Sequence, residues 1–88
     1  MRRPPLAAKR DATEHAILDA LSDVGAQYLL LTAIDVLVLF RGKLMLLECK
    51  SPGGRRTETQ DDLVSRGWPV RFVETPAEAW RAIGAEVR

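Results

Sequence analysis

Apolar residues along the chain follow two different periods. Residues 16–24 place apolar side chains at the spacing of one helix face, and Gly25 provides a helix end. Residues 27–32, 34–40 and 44–47 are instead apolar at nearly every position, which is typical of strands covered on both faces. The pattern therefore predicts a helix followed by three buried strands, the last two joined as a hairpin.

The second half of the chain predicts three more elements. Thr57 and Gln60 have the spacing of a capping box that opens a helix. Residues 69–73 predict a strand, and the sequence Thr-Pro-Ala-Glu at 75–78 is typical of a helix start. The order is α-β-β-β-α-β-α, with an antiparallel hairpin and a parallel strand–helix–strand crossover. We expect an α/β fold in which helices flank a small mixed β-sheet.

Length and composition restrict the chain to one small domain. It has 88 residues, a formal net charge of +1 and a single cysteine. We expect a flexible basic arm over residues 1–10, one domain over residues 11–88, and a reducing, intracellular location. No apolar run approaches the roughly 20 residues of a membrane span, so we expect no membrane contact. With so little net charge, nucleic acid would have to be bound by local basic patches.

The hairpin brings two carboxylates together. A two-residue turn at 41–42 pairs Phe40 with Lys43, and counting outward from that pair places Asp35 opposite Glu48. Directly opposed side chains lie on the same face of the sheet, with Cβ atoms roughly 4.5 to 5.5 Å apart. The register therefore predicts a pair of like charges at one end of an apolar sheet.

Such a pair requires a compensating positive charge. Lys50 lies on the same face as Glu48, two residues farther along the strand. A hard divalent cation such as Mg²⁺ would neutralise the pair better, because it prefers oxygen ligands and is usually held by one or two carboxylates. We predict a metal site at Asp35 and Glu48, with the backbone carbonyl of Cys49 as a further ligand. The structural alternatives are a surface ion pair between Glu48 and Lys50, or an Asp35 at the strand end that is bound to nearby backbone.

Five further side chains are candidates for the same site. Glu14 projects from the apolar stripe of the first helix and Gln60 shares a face with apolar residues of the second, so both can point at the hairpin's polar end. Each also has capping-box spacing, and that structural role stays open beside the catalytic one. Arg55 and Arg56 follow two glycines and, with Lys43, are candidates for binding DNA phosphates. Solvated surface charge is the alternative for the arginines.

These residues resemble a known nuclease signature. Asp35, a hairpin and the sequence Glu-Cys-Lys at 48–50 resemble the D…(D/E)-x-K pattern of the PD-(D/E)xK nucleases. The VRR-NUC (virus-type replication-repair nuclease) branch adds a helical glutamate, a Gly-Arg loop and a helix-opening glutamine, which correspond here to Glu14, Gly54-Arg55-Arg56 and Gln60. The resemblance extends over about residues 11–84. One departure is Ile34, which precedes Asp35 where the family often has proline.

The resemblance implies a restriction-endonuclease-like core and metal-dependent hydrolysis of DNA phosphodiester bonds. Asp35, Glu48 and the Cys49 carbonyl would bind Mg²⁺ or Mn²⁺, and Lys50 would orient or activate the attacking water. The remaining members of the implied catalytic set are Gln60 and Glu14.

The resemblance also implies partners. The chain resembles stand-alone VRR-NUC proteins of phages and bacteria. This resemblance implies a homodimer that cuts branched DNA such as four-way (Holliday) junctions. We expect the last helix, with Trp80, to supply the dimer contact. Two alternatives stay open: a non-catalytic nuclease-like module for nucleic-acid binding or assembly, and a piece of a larger helicase-nuclease.

Overall fold

A computed structural model describes residues 12–85 of the chain. Its elements in chain order are α1 (Ala12–Asp23), β1 (Gln27–Leu30), β2 (Val36–Phe40), β3 (Lys43–Cys49), α2 (Glu58–Ser65), β4 (Val70–Val73) and α3 (Pro76–Ile83). The predicted mixed α/β class is confirmed: four strands form one mixed sheet, accompanied by three helices within the described residues. The predicted basic arm over residues 1–10 lies outside the described residues, as does the predicted helix cap at Asp11.

The sheet has the strand order β1-β2-β3-β4. β1, β2 and β3 are antiparallel, and β4 is parallel to β3. Arg41 and Gly42 both adopt positive φ, at 52° and 78°, as the tightest hairpin turns require. The hairpin pairs Phe40 with Lys43 and ends at the pair of Val36 and Leu47. The predicted register is therefore confirmed up to the pair next to the carboxylates, because Val36 adjoins Asp35 and Leu47 adjoins Glu48.

Local sequence fixes the ends of the two later helices. The Thr57 hydroxyl accepts the Gln60 N–H while the Gln60 side chain accepts the Thr57 N–H, which completes the predicted capping box. Thr75 caps α3, which begins with Pro76. Gly84 ends α3 with a φ of 84°, a left-handed conformation that glycine adopts without strain.

Helices α1 and α3 cover one face of the sheet, called here the inner face. Ile17 and Leu21 of α1 and Ile83 of α3 are buried against Val36 and Val38, whose side chains point to that face.

The tryptophan of α3, which the sequence predicts as a subunit contact, belongs to this core. Trp80 packs against the buried residues and directs its indole N–H to the Ala20 carbonyl of α1, at 2.8 Å. The interface expectation is therefore not supported at this residue, because its ring and its polar atom are both engaged within the chain.

The opposite, outer face is covered only in part, and this corrects the expectation that the apolar strands are buried on both faces. The short helix α2 packs over one end of this face, where Leu63 lies beside Leu46 and Val70. The rest carries apolar side chains that residues 12–85 leave exposed or only partly covered. We call these residues the open face: Leu29, Leu37, Leu39, Leu44, Leu46 and Trp68.

The first strand departs furthest from expectation. β1 is an edge strand, and Leu29 and Leu30 are exposed rather than buried. Leu29 points to the outer face, where α2, at eight residues, is too short to cover four strands. Leu30 points to the inner face, but it ends an edge strand that α1 and α3 leave partly uncovered. None of the helices in residues 12–85 is both long and apolar enough to span a bilayer.

Candidate functional site

The two predicted carboxylates meet at the end of the β2–β3 hairpin and hold each other's strands. The Asp35 N–H donates to Glu48 Oε1 at 3.0 Å, and the Cys49 N–H donates to Asp35 Oδ2 at 2.9 Å. Each carboxylate therefore accepts a hydrogen bond from the main chain of the opposite strand, just past the last ladder pair. Because both contacts run across the hairpin, the positions of the two carboxylates are fixed relative to one another.

Lys50 places a positive charge beside this pair. Its Nζ lies 3.8 Å from Glu48 Oε2 and donates to the carbonyl of Arg55 at 2.8 Å. A turn at Ser51, in which the Gly54 N–H donates to the Ser51 carbonyl at 2.8 Å, folds the loop back toward the lysine. The glycine-rich loop after β3 thus orients the ammonium group of Lys50. Lys50 is the residue of the predicted Glu-Cys-Lys sequence that lies outside β3.

Glu48 is the most electrostatically perturbed residue of the site. It is only 6% exposed, and this burial raises the pKa of its carboxyl above the ordinary value of 4.5. The neighbouring charge of Asp35 raises the pKa further, whereas the Asp35 N–H, the Lys50 ammonium and the Gln60 amide partly oppose the rise. The carboxylate form of Glu48 is therefore electrostatically unfavourable, and a cation would stabilise it.

Gln60 performs the structural role of the two that the sequence leaves open, and its catalytic role stays a prediction. Its side-chain oxygen accepts the Thr57 N–H in the capping box, and its amide lies near enough to Glu48 to lower the pKa of that carboxyl. It is 5% exposed. The N-terminus of α2 is consequently docked onto the carboxylate pair, and a hollow of about 320 Å³ opens there, lined by Thr32, Ala33, Asp35, Glu48, Thr57, Thr59 and Gln60.

Several predicted residues do not line this hollow: Lys50 and Arg56 line a neighbouring one, and Glu14 and Lys43 line neither. Glu14 is buried on α1, which packs on the inner face, and it does not line the hollow. Lys43 starts β3, five residues before Glu48, and so lies about 17 Å away along the strand. Within residues 12–85, no three His, Cys, Asp or Glu side chains are arranged as a metal-binding group, and the predicted catalytic role of Glu14 stays a prediction.

The donor chemistry nevertheless fits a hard divalent cation. Mg²⁺ in proteins is usually bound by one or two carboxylates, and waters and substrate phosphates complete its coordination. Asp35 and Glu48 supply two carboxylates that are held side by side, and the burial of Glu48 makes its charge costly without a counter-ion. The Cys49 side chain packs toward the inner core.

The predicted arginines flank the site on the loop side. Arg56 lies over the ring of Phe72 at 4.2 Å and approaches Asp61 at 3.7 Å, while Arg55 is exposed. A second hollow of about 340 Å³ adjoins this loop and is lined by Lys50, Gly54, Arg56, Phe72, Glu74 and Glu78. The loop thus presents the guanidinium group of Arg56 beside Lys50, whereas Arg55 contacts Lys50 through its main-chain carbonyl.

Sequence reasoning missed the neutral residues that shape the site. Phe72 is paired with Glu48 across the parallel strands and supports Arg56; only the alternation along β4 could have indicated it. Thr32 and Thr59 line the hollow beside the carboxylates, and nothing in their local pattern distinguishes them from ordinary turn and helix residues.

Comparison with protein-family models, with curated proteins and with solved structures finds no match to the chain.

Proposed function

We propose that the chain is a metal-dependent DNA endonuclease. The observation that carries the proposal is the carboxylate pair of Asp35 and Glu48 with Lys50 beside it, at 3.8 Å from Glu48. Two facing carboxylates destabilise a hairpin unless they are neutralised. Their juxtaposition with a lysine is the arrangement expected for phosphodiester hydrolysis, and it supports the resemblance to the PD-(D/E)xK nucleases and a restriction-endonuclease-like core.

Each residue has a definite role in this proposal. Asp35, Glu48 and the Cys49 carbonyl would hold Mg²⁺ or Mn²⁺, and the bound ion would supply Lewis-acid stabilisation of the phosphoryl oxygens and a more acidic water. Lys50 orients the water or donates to the phosphate oxygen on which charge develops. Gln60 positions Glu48 through its amide.

The substrate proposed is branched DNA, including four-way junctions, and the active form proposed is a homodimer. Both follow from the resemblance to stand-alone VRR-NUC proteins. The position of Arg55 and Arg56 supports a DNA path beside Lys50, because guanidinium groups bind phosphates without regard to base sequence. The acidic residues Glu74 and Glu78 lie in the same hollow as Arg56, so phosphates are expected on the arginine side of it.

One observation favours a second candidate, a non-catalytic module with a nuclease-like fold. The contacts of Asp35, Glu48 and Lys50 described above are all made within the chain, and they join the ends of β2 and β3 to the following loop. A module that only binds nucleic acid would retain them for stability.

Cleavage and metal binding separate the two candidates. Labelled duplex, flap and four-way-junction DNAs are incubated with Mg²⁺, Mn²⁺ or EDTA, and Lys50→Ala is expected to reduce the cleavage rate by about 10²-fold or more. Mn²⁺ is expected to raise the melting temperature of the wild type and of Lys50→Ala, but not that of a protein carrying both Asp35→Asn and Glu48→Gln.

Matched controls make the result specific. Asp19→Asn removes an exposed carboxylate of α1, and Lys43→Ala removes a lysine at the far end of β3; both are expected to keep the metal response. Metal binding without cleavage of any DNA would support the non-catalytic module. Equal metal-induced shifts in the wild type and the double variant would overturn the metal site itself.

A further inference from the structure

The open face of the sheet is too apolar to be left in water. Leu44 is 66% exposed, Leu29 64% and Trp68 53%. With Leu39, these side chains expose on the order of 500 Å² of apolar surface, which is at the upper end of what monomeric proteins show as one patch. Apolar patches of this size mark surfaces that are covered in the functional assembly.

We propose that the open face binds the open face of a second copy of this chain, forming a two-fold dimer of stacked sheets. This inference rests on the homodimer of the proposed function and assigns its surface. A standard interface buries about 800 Å² per partner, and the open face already supplies more than half of that area. The rim of the face would supply the remainder.

The chemistry of the face excludes nucleic acid as its occupant. The hollows across the face are lined by uncharged residues throughout, among them Tyr28, Met45 and Pro69. DNA binding depends on neutralising phosphates with lysine and arginine, so a surface without positive charge offers it no contact. A flat array of leucines is instead complementary to itself.

The residues of the chain outside the described range do not match the face either. Residues 1–11 include four basic side chains and two prolines, with Leu6 as their only leucine, and residues 86–88 add a single valine between two charges. Covering six large apolar side chains requires an apolar partner, which these short polar segments do not provide.

The pairing register makes the face suitable for two-fold packing. Leu37 is paired with Leu46 and Leu39 with Leu44, so four leucines form two adjacent rows across the hairpin. Leu29 extends the first row onto β1. Sheets stack about 10 Å apart with strands within roughly 30° of alignment, and rows of equal side chains on both sheets can interdigitate in such a stack.

Light scattering over 1–100 µM tests the interface. The wild type is expected to be a dimer, and Leu44→Lys or Leu29→Lys, each at an exposed position, is expected to raise the dimer dissociation constant at least 100-fold. The gentler Leu44→Thr, which suits a strand, is expected to weaken the dimer about tenfold or more. Leu30→Lys is the matched control, because Leu30 is an exposed leucine of β1 paired with Val36 and thus on the other face.

The outcomes separate this inference from the proposed function. A wild type that is monomeric at 100 µM would overturn the interface and the homodimer, while metal-dependent cleavage, measured on the same sample, would still test the nuclease site. A dimer that survives Leu44→Lys and Leu29→Lys would overturn the open face alone. Circular dichroism and the Mn²⁺-induced melting shift verify that each variant remains folded with an intact site.

Discussion

At the scale of single residues, Glu48 and Asp35 combine a structural role with a chemical one. Each carboxylate accepts a main-chain hydrogen bond that terminates the β2–β3 ladder, so neither can be removed without exposing an unsatisfied N–H. An amide side chain keeps an acceptor oxygen but lacks the charge. Carboxylate-to-amide substitutions therefore separate the two roles, whereas alanine substitutions would remove both at once.

The raised pKa of Glu48 predicts a particular pH dependence of stability. Because the folded state holds the proton more tightly than the unfolded state, stability falls as pH rises from about 4.5 through the folded-state pKa. Glu48→Gln removes this titration. The variant is expected to gain stability relative to the wild type as pH rises above about 4.5, in the absence of metal.

Urea denaturation at several pH values, in EDTA, measures this difference. Glu58→Gln, at an exposed position in the first turn of α2, is the control and should show no comparable gain. A Glu48→Gln variant whose stability differs from the wild type by the same amount at every pH would contradict the assigned titration.

At the scale of elements, the hairpin, the following loop and α2 act together. The hairpin aligns the carboxylates, the turn at Ser51 returns the chain toward Lys50, and the capping box of α2 aims Gln60 at Glu48. Three short-range sequence features thus place four polar side chains at one end of the sheet. The placement of these side chains depends on the turn lengths, because one extra residue in the hairpin would move every following side chain to the opposite face of the sheet.

The loop after Lys50 carries a second prediction. Removing both arginines with Arg55→Ala and Arg56→Ala is expected to weaken DNA binding for all sequences. The slope of log affinity against log salt concentration should become shallower by roughly 0.9 for each duplex phosphate that the variant no longer neutralises. Fluorescence anisotropy over a salt series measures both effects.

The appropriate comparison is a second double variant, Arg66→Ala with Arg81→Ala. Both residues are exposed on α2 or α3 away from the carboxylates, and Arg66 is paired with Asp62. Equal salt slopes for the two double variants would mean that the loop arginines contribute no specific phosphate contact.

The sequence predicts the site better than its surroundings. The register of Asp35 and Glu48 follows from a two-residue turn, because counting along a hairpin is a local operation. The position of Glu14 is not predictable in this way, since helical periodicity identifies a buried side of α1 but not which part of the sheet it meets. The exposure of Leu29 and Leu44 is equally hidden from the sequence, because an apolar side chain indicates burial without identifying what covers it.

At the scale of the whole molecule, helices cover the two faces of the sheet to unequal extents. Two helices cover the inner face, and one helix covers the site end of the outer face. A small domain buries a low fraction of its surface even when both faces of its sheet are covered. An assembly that covers the open face would therefore contribute a large share of the stability of the fold.

This dependence predicts a melting temperature that varies with protein concentration. For a dimer of this size that unfolds as it dissociates, each tenfold increase in concentration raises the melting temperature by roughly 3–4 °C. The Leu44→Lys variant, as a monomer, should show no such change. Differential scanning calorimetry at 5, 50 and 500 µM distinguishes the two behaviours, and a wild type whose transition does not move would count against the assembly.

The crossed contacts between Asp35 and Glu48 also make two main-chain amides into reporters of the site. The amide protons of Asp35 and Cys49 are protected from exchange with solvent while the carboxylates accept them. Protonation of Glu48, or withdrawal of either carboxylate toward a cation, would change the exchange rate at these two positions before the rest of the sheet responds. Deuterium uptake at two amides can thus follow ligand occupancy at one end of the hairpin without substrate or substitution.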